Sequence, residues 1–170
     1  MKICSNCKQS FTLNNFYKRK DSKDGLRAYC KNCCKKFANN YCSTENGALS
    51  ILYLTMKKKI RSKRYINFSE KEKNKYRCYV TKDEFLELFE KHKKIFGYTC
   101  ALTGVEIIFK KTNHSDSNKS NSLSVDRLNP EIGYTKENII FVSSKANNSK
   151  NAVTKELCIA ILKAYGERGW

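Results

Sequence analysis

Two C-x2-C pairs, Cys4-Ser-Asn-Cys7 and Cys30-Lys-Asn-Cys33, constrain this chain more than any other feature. Each pair can place two thiolates on one tetrahedral ion, and the two together close a structural four-cysteine zinc site. The spacer Lys8–Tyr29 holds an aromatic stretch from Phe11 to Tyr17 and a turn at Lys23-Asp24-Gly25. It suits a short strand or helical turn, then a hairpin that delivers the second pair. So small a segment buries too little to fold by itself, so the metal would supply much of its stability. Cys34 is a one-residue alternative to Cys33. Cys42, Cys78 and Cys158 lack ligand spacing and read as buried thiols.

Charge narrows the partner. The chain of 170 residues carries 34 Lys+Arg against 16 Asp+Glu, a net charge of +18, weighted toward its first two thirds. Such an excess favours a polyanion, nucleic acid before others. The plain alternative is a Lys- and Asn-rich chain that is merely soluble. The start, Met1-Lys2-Ile3-Cys4, lacks the apolar run of a signal peptide, and the stretch Ala48 to Met56 is too short to span a bilayer. The expectation is an intracellular protein, cytoplasmic or, in a eukaryotic host, nuclear, neither secreted nor in a membrane. Its nine cysteines would stay reduced and open to metal.

The middle reads as helical and basic. Leu49, Leu52, Tyr53, Met56 and Ile60 recur at helical spacing, a stripe that packs on core. Lys57, Lys58, Lys59, Arg61, Lys63 and Arg64 follow as a charged cluster. It would lie along a phosphate backbone, serve as a nuclear localisation patch, or be a solvated face. Residues 65–80 have weaker periodicity and read as a linker. Thr81-Lys-Asp-Glu84 is a capping box opening a helix with Phe85, Leu88, Phe89, His92, Ile95 and Phe96 on one face, ended by Gly97. His92 within that stripe reads as a packed, satisfied histidine.

The C-terminal third carries the chemistry. Ser124-Val-Asp126-Arg127-Leu128-Asn129-Pro130-Glu131-Ile132-Gly133-Tyr134, then Asn138 to Val142, then Lys145-Ala146-Asn147-Asn148-Ser149-Lys150 read as strand, tight loop, strand and helix. That order can bring one carboxylate and one amide oxygen onto a single divalent cation, which in a basic chain points to phosphodiester chemistry. Taken singly, each of these Asp and Asn residues reads better as ordinary turn and cap chemistry.

Taken together, residues 98–151 resemble an HNH, or ββα-metal, endonuclease core of the phage and mobile-element type. Ser124–Ile139 follows the signature S-V-D-R-L-x-P-x-x-G-Y-x-x-x-N-I, and Cys100-Ala-Leu-Thr103-Gly104 its opening turn. The N-terminal segment is similar to small zinc modules that precede such nucleases, through Phe16-Tyr17-Lys18-Arg19-Lys20 and Asp24 to Cys30. Arg19, Arg27 and the lysines around the metal would suit phosphate contact. The resemblance implies Asp126 and Asn147 as ligands of a catalytic Mg2+ or Mn2+, Asn148 being a one-residue slip. It further implies Asn138 as the residue that ties down the active-site loop, and Lys150 as facing substrate phosphate.

Two departures matter. The family often staples this core with a second four-cysteine zinc, but Thr103, Ser143 and Ala146 accompany Cys100 here, so no zinc is expected there. Arg127 stands where the usual motif has its water-activating histidine, and a guanidinium stays protonated near neutral pH. Arg127 would then clamp phosphate, leaving the base to metal-bound hydroxide or to His114, in the polar loop Thr112–Ser122, which reads otherwise as a surface histidine.

The sequence thus predicts an α+β protein: a zinc module over 1–45, a basic helical connector over 46–80, and a ββα-metal nuclease domain over 81–170 braced by helices 81–96 and 155–165. The predicted function is a metal-dependent DNA endonuclease. The alternative is a non-catalytic DNA-binding derivative of that fold, with an RNA-binding zinc protein behind it.

Overall fold

A computed structural model describes residues 1–62, 65–109, 120–150 and 159. The basic residues Lys63 and Arg64, His114, Cys158 and all of the expected helix 155–165 except Ile159 lie outside the described residues. Among the described residues the chain is a mixture of helices and small antiparallel sheets, as an α+β reading requires. No helix among them is long and apolar enough to cross a membrane.

The first C-x2-C pair turns between two short strands, β1 (Lys2–Ile3) and β2 (Ser10–Phe11), which pair antiparallel. A hairpin follows, β3 (Phe16–Lys18) against β4 (Leu26–Cys30), with a bulge between Phe16 and Lys18. Helix α1 (Lys31–Cys42) starts directly after Cys30, so the second pair spans a strand end and a helix start. Phe16 is buried among the cysteines, with Phe11 and Leu26 against it, and this small core is separate from the main one.

Helix α2 (Glu45–Lys58) is capped by Thr44, whose Oγ1 accepts from the Gly47 amide at 3.1 Å, and closes on Lys57 and Lys58 beside its negative end. Leu49 and Met56 of α2 enter the same core as the later strands. The stripe read from the sequence therefore packs as expected at Leu49, Leu52, Tyr53 and Met56, but it joins the main core and leaves no packing break at residue 80. The linker reading of 65–80 is corrected. Ser69 and Glu72 form a capping box for α3 (Glu70–Asn74), the Tyr65 ring packs tilted against Tyr76 with centroids 4.6 Å apart, and Cys78 and Val80 are buried. Its periodicity is weak because one short helix lies between aromatic anchors, so no repeating face develops.

Helix α4 (Lys82–Phe96) has the predicted Thr81/Glu84 capping box and ends at Gly97, whose φ of 65° is a left-handed value glycine adopts without strain. Lys136 pairs with Glu84 at 2.8 Å, and with the Thr81 bonds this pulls the Glu84 carboxyl down to about 2. Phe85 and Phe89 pack against Phe141, ring centroids 5.3 and 4.9 Å away, joining α4 to the hairpin of β5 (Leu123–Arg127) and β6 (Ile139–Ser143). That hairpin runs in register from Leu123 opposite Ser143 to Arg127 opposite Ile139, and α5 (Ser144–Lys150) leaves its end.

His92 is 6% exposed, stacked near Phe89, with Nε2 2.9 Å from the Thr99 carbonyl. Burial holds its imidazole below the usual histidine range, against the pull of that carbonyl. The unfolded chain therefore takes up this proton first as pH falls below about 6.5. His92 contributes stability that is complete above that value and is lost as pH drops through the lower folded value. Melting temperature should fall between pH 7.5 and 5.5, and His92→Gln should flatten that slope while lowering the melting point at neutral pH. An unchanged slope would remove His92 as its source.

Candidate functional site

The four thiols of Cys4, Cys7, Cys30 and Cys33 lie within 4.8 Å of one another, compatible with a structural metal such as zinc. Cys33, not Cys34, completes the set; Cys34 Sγ instead donates to the Tyr29 carbonyl at 3.6 Å. The first turn is held by Cys4 N–H to Gln9 O and Lys8 N–H to Cys4 O, both 2.9 Å, with Lys8 at a φ of 60°. The Cys30 backbone amide donates to Cys4 Sγ at 3.2 Å and the Asn6 side chain, through Nδ2, to Cys33 Sγ at 3.3 Å, the outer bonds that orient thiolates toward a cation. Burial alone would raise the Cys4 thiol, but the amides of Cys30, Cys7 and Asn6 outweigh it and bring it to about 6. For Cys7 the Gln9 amide pulls downward, yet burial and the three neighbouring thiols push it up to about 11. Four sulfurs so close cannot all ionise without a shared cation, which a divalent metal would supply.

The second site grows from strand alternation. Successive side chains of β5 point to opposite faces. Leu123 and Val125 enter the core, so Ser124 and Asp126 share the other face, which α5 covers. Asn147, on α5, donates from Nδ2 to Ser124 Oγ at 2.9 Å and to the Val125 carbonyl at 3.1 Å. Its Oδ1 is then the atom that would ligate. Lys150, one helical turn on, places Nζ 2.9 Å from Asp126 Oδ2 and 2.8 Å from the Arg127 carbonyl. The Asp126 side chain keeps 17% of its surface exposed.

Asn138 secures the loop joining the strands. It is 5% exposed; Nδ2 donates to the carbonyls of Asn129, Ile132 and Gly133 at 3.0, 3.1 and 2.8 Å, and Oδ1 accepts the Asn129 amide at 2.7 Å. The loop also presses on the stretch before α4. Tyr134 N–H donates to Arg77 O at 2.8 Å and Tyr79 N–H to Tyr134 O at 2.9 Å. A Cβ at Gly133 would lie 2.5 Å from the Arg77 oxygen, so only glycine allows this approach.

Arg127 occupies a different place from the phosphate clamp expected of it. By strand alternation it leaves on the face opposite Asp126. Its Nη1 donates to the carbonyls of Lys75, Pro130 (2.8 Å) and Ile132 (3.3 Å), and its guanidinium sits 5.2 and 5.3 Å from the rings of Tyr76 and Tyr134. Lys59 shares those two rings and donates to the Tyr134 hydroxyl at 3.1 Å. Arg127 is a brace between the loop and the 65–80 segment. The sequence missed this cage of Lys59, Tyr76, Arg127 and Tyr134, although the Ser69/Glu72 box and clustered aromatics signalled order there.

Of the basic cluster, Lys57, Lys58 and Arg61 are all exposed, with the Lys57 ammonium reaching the Cys78 carbonyl at 3.3 Å. Lys58, Lys59 and Ser62 form one wall of a cleft of about 560 Å³ whose other wall includes Ser124, Tyr134 and Asn147. The basic end of α2 therefore faces the second site.

At Cys100, Thr103, Ser143 and Ala146, where no zinc is expected, the buried Cys100 thiol meets Thr103 and the backbone of Ser143, while Ser143 Oγ accepts the Ala146 amide at 3.2 Å. Burial would raise that thiol, and these bonds lower it on balance. Compared with known proteins, the chain matches no family model, no curated protein and no solved structure.

Proposed function

We propose that the chain is a metal-dependent DNA endonuclease of the ββα-metal type, with a four-cysteine zinc module at its N-terminus. The observation that carries the reading is the convergence of Asp126 and Lys150 at one end of a strand–strand–helix unit, with Asn147 tied to the same strand face. Asp126 and Asn147 are hard oxygen donors suited to Mg2+ or Mn2+, and a site with one carboxylate would leave most of the ion's shell to water and phosphate oxygens. Such an ion would polarise a phosphodiester and neutralise its developing charge. Asn138 fixes the loop that leaves the end of β5 just beyond Asp126, and Asn147 holds α5 to β5. Lys150, paired with Asp126, would turn to an incoming phosphate. The cleft beside Asn147, with Lys58 on its rim, supplies a path for the strand.

A second reading, a DNA-binding derivative without cleavage, is favoured by Arg127, because its guanidinium is committed to carbonyls and can neither activate water nor clamp phosphate from there. Zinc-loaded protein should nick supercoiled plasmid with added Mg2+ or Mn2+, and Asp126→Ala should lower the rate by at least about a hundredfold, the upper end of what losing an outer-shell partner produces. Salt-sensitive binding with no cleavage of supercoiled, linear or branched DNA would establish the second reading instead.

A further inference from the structure

We infer that the outer face of the N-terminal hairpin and α1 is a second nucleic-acid site, one that takes an unpaired DNA strand by stacking its bases. The face is remote in sequence from Asp126, and strand binding there stands whether or not the chain cleaves. Only the choice of DNA over RNA rests on the proposed function.

Two observations carry it. The first is exposed aromatic surface on an element too small to hide it. Phe16 takes the only inward aromatic position of β3, so Tyr17 points out, 40% exposed. Tyr29 of β4 and Phe37 of α1 remain 42% and 45% exposed although their rings touch at 5.3 Å. Paired rings open to solvent form a platform on which a base can stack, and duplex DNA offers no free base faces to such a platform.

The second is unspent positive charge. Two shallow grooves cross this face, of about 460 and 560 Å³, and both are lined by Lys18 and Arg27, with Lys35 in the first and Arg19 in the second. Among the described residues none of these four cations is in an ion pair, and Asp21 is the only acid in either groove. The contrast with Lys57, Lys59 and Lys150 is direct, since those ammonium groups are held by carbonyls, a hydroxyl or Asp126. Lys31 adds a cation 5.6 Å from the Tyr17 ring. Cations alternating with open rings along a groove match a backbone with splayed bases.

The test uses the full chain, zinc-loaded and carrying Asp126→Ala to prevent cleavage, with a fluorescent 20-nucleotide single strand, the matching duplex and the matching RNA. Single-stranded DNA should bind more tightly than duplex. Tyr29→Ala with Phe37→Ala should weaken it by about tenfold, the range of one lost stacked base, with zinc content unchanged. Arg27→Gln, on an exposed position, should lower the salt slope by about 0.7. Equal affinity for duplex, single-strand binding untouched by both sets of changes, preference for the RNA, or a dimer that the aromatic changes dissociate would each overturn the inference. Failure of plasmid nicking by the parent protein would bear on the cleavage reading alone.

Discussion

Replacing Cys30 with serine, or withdrawing the metal with a chelator, is expected to unfold the N-terminal module while the α2–α4–β5–β6 core stays folded. Cys30 is at once the last residue of β4, the residue before α1 and one of four clustered sulfurs. Its amide also donates to Cys4 Sγ. The apolar content of this module is Phe16 with Phe11 and Leu26 against the cysteines, too little to offset the chain entropy of the ordered strands. A structural zinc contributes on the order of 10 kcal/mol to such a unit, so its loss removes the fold rather than loosening it. Leu49, Met56, Phe85, Phe89 and Phe141 form a different cluster that, among the described residues, has no sulfur ligand set. Limited proteolysis should therefore cut first within residues 1–42 after chelation, and re-addition of one zinc per chain should restore protection. Cys34→Ser is the control and should change nothing, because its thiol lies outside the set. Uniform loss of protection over the whole chain would mean that the module and the main core fold as one unit.

Legibility in the sequence followed the range of the interactions. The cysteine pairs, the Thr81/Glu84 box and the Gly97 stop are local, with partners at most a few residues apart or fixed by one ion's geometry, and all three are where spacing placed them. Asp126, Asn138 and Asn147 could be named from order along the chain. What the order could not supply was direction. Arg127 follows Asp126 in sequence, yet the two-residue period of a strand sends it to the other face, to carbonyls contributed by Lys75, Pro130 and Ile132. Lys59 likewise has the composition of a phosphate contact and the position of a core brace, because Tyr76 and Tyr134 arrive from distant segments. Residues 65–80 failed as a linker for the same reason. Their anchors pair with the β5–β6 loop, and no periodicity within the segment records that.

That loop is also where a single truncation should cost most. Asn138→Ala removes two bonding directions from a buried side chain and leaves the carbonyls of Asn129, Ile132 and Gly133 and the Asn129 amide without it. Each buried polar group deprived of its partner costs about 1–3 kcal/mol, and water entering the collapsed loop recovers part, so about 3–4 kcal/mol is expected in all. For a chain of this size that is a melting point lower by roughly 10 °C. Asn138→Asp should be no milder, since it sets a second carboxylate oxygen against three carbonyls. Asn129→Ala is the comparison. Its Oδ1 accepts only the Glu131 amide, at an exposed turn, so the loss should stay below about 1 kcal/mol. Hydrogen exchange locates the effect: in Asn138→Ala the amides of Asn129 and Tyr134 should exchange faster while those of Phe89 and Val142 keep their protection. Equal destabilisation by the two alanines would mean that the loop is held by Arg127 and its tyrosines, with Asn138 contributing no more than an ordinary turn residue.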